Sequence, residues 1–166
     1  YFAGRTTRVT FGTMVAVAPW WHPIRLAHQI AYLDIVSNGR YTTIGLGRGV
    51  AKSEFDAVGV PREQSRQRFS ETLDILKLAF TQERFSYSGE IFQIPEMSLR
   101  PAPLSRDLYS RVYGSSSTPD SLVVPAPVTR SVRRALRRAL RRALPASARF
   151  VEPPRLRSIP AVASPV

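Results

Sequence analysis

Two apolar runs, "RVTFGTMVAV" (8–17) and "YTTIGL" (41–46), flank a segment of a different period, and this alternation constrains the fold more than any other feature. Both runs are rich in β-branched residues, with few polar interruptions, the pattern of strands buried on both faces of a parallel sheet. In the intervening segment Pro23 suits a first helical turn. Leu26, Ala27, Ile30, Ala31 and Leu33 then form a stripe at helical spacing. Gly39 is placed to end that helix in a left-handed conformation. A second stripe, Phe69, Leu73, Leu76 and Phe80, predicts a helix over 62–80, after a polar loop containing Pro61. "RFSYSGEIFQIP" (84–95) alternates around Ser88-Gly89 as a β-hairpin does. "LYSRVYGSSS" (108–117) is a third core-strand candidate, and Thr118-Pro119-Asp120-Ser121 opens a further helix. The expected class is α/β, built from βα units with strands near 8–17, 41–47 and 109–114.

Charge divides the chain in two. The net charge is +12, but residues 1–122 hold 14 Lys/Arg against 11 Asp/Glu, a net of +3. Residues 123–166 hold 10 Arg against the single acid Glu152, a net of +9, and seven of the fourteen prolines. A boundary is therefore expected near Leu122–Pro125, between a domain at 1–122 and an Arg/Ala/Pro-rich tail at 123–166 outside the fold. With no cysteine, disulfides and thiolate metal sites are excluded, and His22 and His28 are not spaced among carboxylates as metal ligands. The first residues, Tyr1-Phe2-Ala3-Gly4-Arg5, lack an initiator Met and a signal-peptide layout, so an internal or truncated segment and a cytoplasmic location are expected.

Gly47-Arg48-Gly49 leaves the C-terminal end of the second strand. Glycines there let backbone amides approach an anion, and Arg48 adds a planar cationic fork suited to phosphate. Ser115 to Ser121 forms a second such loop, at a strand end and a helix start, where free amides and the helix dipole favour phosphate. Either loop alone also reads as a turn or an N-cap. Together, on the strand-end face that carries the active site in barrels, they point to a phosphate-bearing ligand.

The blocks "RVTFGTMVAV", "HPIRLAHQIAYLDIVSNGRYTTIGLGRG", "KSEFDAVGV", "SRQRFSETLDILKLAF", "FSYSGEIFQIP" and "VYGSSSTPDSL" run in one register over about residues 5–122. In that order they resemble the bacterial luciferase-like flavin monooxygenases. The resemblance implies a TIM-type (βα)8 barrel that binds reduced FMN or, in some subfamilies, the deazaflavin F420, activates O2 and oxygenates a small organic substrate. By the same resemblance Arg48 matches the arginine at the flavin phosphate, and Thr118 and Ser121 match the phosphate-loop hydroxyls. Met14-Val15 matches the dipeptide whose non-proline cis bond lies under the flavin ring. Ser117 stands where the luciferase α chain has a glutamate, and Gly47 where it has a cysteine beside the ring. No catalytic residue is assigned. The match covers about the third to fifth strands of a fold that needs roughly 250 residues. An incomplete barrel is expected, inactive or nearly so unless completed by another chain or by a homo-oligomer.

Other residues carry two readings. His22 either caps its helix or faces the mouth, and His28 is expected on the solvent side. Trp20-Trp21 either walls a substrate pocket or packs under a neighbouring loop. Glu71 and Asp74 are expected to be solvated or paired with Arg68 and Lys77. In the tail, "RRALRRALRRAL" places Leu136, Leu140 and Leu144 on a loose stripe drifting by about 40° per repeat. That gives either a basic helix for nucleic acid, membrane surfaces or acidic partners, or a disordered extension, as an out-of-frame reading of a GC-rich gene would produce.

Overall fold

Strand β2 (Tyr41–Gly47) lies at the centre of a three-stranded parallel sheet, between β1 (Phe11–Val17) and β5 (Val112–Gly114). The computed structural model describes residues 1–114. Phe11 pairs with Tyr41 and Val17 with Gly47, while Ile44 pairs with Val112 and Leu46 with Gly114. All three strands therefore end together on one face. Two crossovers make the pairing parallel. The first is helix α2 (Pro23–Val36). The second contains α3 (Lys52–Val58), α4 (Ser65–Thr81) and the antiparallel hairpin of β3 (Phe85–Ser88) with β4 (Gln93–Met97). A short helix, α1 (Phe2–Arg5), precedes β1.

The two predicted stripes form the core. Leu26, Ala27, Ile30 and Ala31 of α2 and Phe69, Leu73, Leu76 and Phe80 of α4 are buried with Ile44 and Leu46 of β2. Each large apolar side chain buried there contributes about 1.5–3 kcal/mol. Pro23 stands in the first turn of α2, and the left-handed turn after it takes Asn38 (φ 52°) as well as Gly39 (φ 75°).

Three expectations change. The loop expected before Pro61 contains α3, a seven-residue helix with one buried anchor, Phe55, ended by Gly59 at φ 68°. One anchor leaves no periodic stripe to read. β1 is not buried on both faces. Gly12 and Met14, two apart on one face of the strand, are exposed, so among the described residues that face of β1 is uncovered. The third strand spans only 112–114, and residues 108–111 form a 3₁₀ turn.

At the opposite face, where the strands begin, Asp34 is fully buried. Its carboxylate accepts hydrogen bonds from the Ser105 amide (2.7 Å) and hydroxyl (2.8 Å) and lies 3.5 Å from Arg111 Nη1. Arg111 also donates to the carbonyls of Gly39 (3.0 Å) and Tyr41 (2.9 Å) and pairs with Asp107. This cluster joins the end of α2, the start of β2 and the approach to β5. No helix among the described residues is long and apolar enough to cross a membrane.

Candidate active site

The C-terminal ends of β1 and β2 are held together by steric fit. Gly49 has φ 78°, and a Cβ there would stand 2.9 Å from both Phe55 Cε2 and Val17 Cγ1, so the loop after β2 closes only with glycine. Phe55 in turn packs edge-on against Trp20, with centroids 5.9 Å apart. Trp20 thus packs on the neighbouring loop, while Trp21 is exposed. The Trp20 indole Nε1 is buried with no hydrogen-bond partner among the described residues. Gly47 is buried at the strand end. Arg48 is half-buried and makes no hydrogen bond or ion pair with a described residue.

The Met14–Val15 peptide is cis. It falls where the β1–β2 register is interrupted, between Thr13 and Ala16. Opposite it, a Cβ on Gly45 would meet the Thr13 carbonyl oxygen at 2.3 Å and Val15 Cγ1 at 2.9 Å. Gly45 reads from sequence as an ordinary strand residue, and only the pairing shows that nothing larger fits. Gly45→Ala is expected to cost about 1–3 kcal/mol by overpacking. Urea denaturation measures it, and an unchanged midpoint would refute the steric account.

His22 caps α2 through Nδ1, which accepts from the Ile24 amide at 3.3 Å, and its ring meets Phe92 edge-on at 5.8 Å. Because α2 begins just after β1 ends, the contact places the hairpin turn near the same sheet face. Glu71, expected in solvent or paired with Arg68, is instead 2% exposed and holds that turn. Its carboxylate accepts from the amides of Glu90 (3.0 Å), Ile91 (3.1 Å) and Phe92 (2.9 Å) and from Gln67 Nε2 (2.9 Å). Gly89 is glycine because a Cβ would sit 2.3 Å from Glu71 Oε2. Asp74 is exposed, as expected, and His28 is half-buried rather than fully solvated. Ser117, Thr118 and Ser121 lie outside the described residues, as do the helix expected after them, the boundary near 122 and the tail. No cluster of metal-binding side chains occurs among the described residues.

The family model of the luciferase-like monooxygenases matches residues 1–155. The chain belongs to that family. A relative, the oxygenase component of a flavin-dependent trigonelline monooxygenase from Acinetobacter baylyi, is 36% identical over 106 residues, covering 63% of this chain and 29% of its own length. An FMNH2-dependent dimethylsulfone monooxygenase from Pseudomonas putida is 32% identical over 100 residues, 58% of this chain and 27% of that one. The crystal structure of the monooxygenase RslO1 from Streptomyces bottropensis superposes with a TM-score of 0.66 at 29% identity, covering 72% of this chain and 36% of that one. The chain thus spans about three tenths of the length of the curated relatives it matches.

Proposed function

We propose that this chain carries the flavin-phosphate side of a flavin-dependent, luciferase-like monooxygenase site, with reduced FMN as the cofactor and F420 as the alternative within the family. The observation that carries the reading is Arg48. It is a half-buried guanidinium unpaired among the described residues, on a loop that leaves no room for a Cβ at Gly49. That arrangement suits a phosphate, and Trp20 Nε1, on the ring packed against Phe55, is a buried donor without a partner among the described residues. The dependence of the dimethylsulfone monooxygenase on FMNH2 supports the choice of cofactor.

In this reading Arg48 binds the phosphate with Thr118 and Ser121, and Ser117, next to Thr118 in the sequence, contributes to the same contact. Met14, Val15 and Gly47 contribute to the floor beneath the ring. The flavin would supply the reduction and activation of O2, while the protein binds, orients and excludes water. The substrate would be a small organic molecule. A chain matching less than a third of its relatives supplies only part of such a site, so turnover would draw on sequence beyond these 166 residues.

Titration of the chain with FMN and with riboflavin tests the reading. FMN is expected to bind more tightly, because only it carries the phosphate. Equal affinities would refute the site.

A further inference from the structure

We infer that Glu71 is a carboxylate latch that straps the 89–92 hairpin turn to α4 beside the start of α2, and that protonating it releases the strap. Turns usually satisfy their amides through their own strand pairing or through water. Here three consecutive amides, Glu90, Ile91 and Phe92, are all drawn onto one carboxylate from a different element. The carboxylate is buried, and Gln67 on the preceding turn of α4 completes its coordination. The strapped turn carries Phe92, which lies against the His22 ring that caps α2 and 5.4 Å beneath the Arg68 guanidinium. Releasing the turn therefore loosens the start of α2 at the sheet face that holds Arg48.

An ionised carboxylate accepts four such hydrogen bonds, whereas a carboxylic acid places a proton against one of the donors. The proton comes from solvent to a Glu71 oxygen, and the displaced amides turn to water. Burial pushes the Glu71 pKa up, but the Phe92, Ile91 and Glu90 amides and Gln67 outweigh it, so the group lies below its ordinary value of 4.5. A depressed folded-state value means the strap is fully engaged above the ordinary value and is lost as pH falls through the lower one. The titratable and charged groups facing this assembly are Asp74 and Arg68 on α4, Tyr87 and Glu90 on the hairpin, and His22 on α2.

The inference stands on these contacts and not on the flavin reading, and its test uses no flavin. Amide hydrogen exchange is followed in the full chain from about pH 7 to about pH 3. Glu90, Ile91 and Phe92 should lose roughly tenfold or more in protection below pH 4.5, before Ile44 and Leu46 of β2 do. Glu71→Gln should open the turn at neutral pH with β2 still protected. Gly89→Ala, whose methyl displaces the carboxylate, should do the same. Loss centred near neutral pH, well above the carboxylate range, would overturn the latch. So would simultaneous loss in the turn and β2, or native-like turn protection in Glu71→Gln. If Glu71→Gln does not fold, the order of loss in the wild-type titration decides.

Discussion

Asp34→Ala is expected to destabilise the chain by about 2–5 kcal/mol, because it leaves the Ser105 amide and hydroxyl without an acceptor, at about 1–3 kcal/mol each, and takes an anion from beside the half-buried Arg111. Asp34 is fully buried, and its carboxylate satisfies the amide and hydroxyl of Ser105, a residue 71 positions away. It also lies 3.5 Å from Nη1 of Arg111, whose side chain is 18% exposed. Without it, Arg111 keeps Asp107 and two carbonyls, so the loss falls chiefly on the two Ser105 donors. Asp34→Asn keeps the volume yet turns an NH2 group toward a donor, so it should recover only part of the loss. Urea denaturation of the full chain, read by far-UV circular dichroism, measures both. A loss below about 1 kcal/mol for Asp34→Ala would show that the cluster is worth no more than a single neutral hydrogen bond.

Arg48→Ala is expected to abolish the preference for FMN over riboflavin. A charge-assisted bond to phosphate contributes about 1.5–3 kcal/mol net, or roughly 10–150-fold in affinity. Arg48 makes no hydrogen bond or ion pair with a described residue, so its removal strands no partner among them and should hardly change the stability of that part of the fold. Fluorescence titration of both ligands against both proteins separates the effects. Riboflavin binding should stay level while FMN falls to match it. A retained FMN preference in Arg48→Ala would move the phosphate site to other residues. Arg48→Lys should recover part of the gap, keeping the charge without the planar fork.

The two long helices and the hairpin were readable because each is written at short range, and the parallel order followed from their alternation with the strands. Leu26 to Ala31 and Phe69 to Phe80 repeat at the helical period, and that period already states which side faces the core. Gly47-Arg48-Gly49 likewise reads locally as a cationic loop at a strand end, and the Pro after His22 marks a helix start. Residues whose roles depend on distant partners were not readable. Glu71 sits on α4 where a charged residue reads as solvated, and only the folding of the hairpin turn, 19 to 21 positions later, buries it. Gly45 is an unremarked strand glycine until Thr13 and Val15 close on it, and Asp34 acquires its role from Ser105 and Arg111. The order of strands and helices and the cationic strand-end loop came from the sequence by itself, since periodicity records burial one element at a time. Which polar groups are buried, and which positions tolerate no side chain, was decided by the tertiary structure, because those constraints exist only between segments that packing brings into contact.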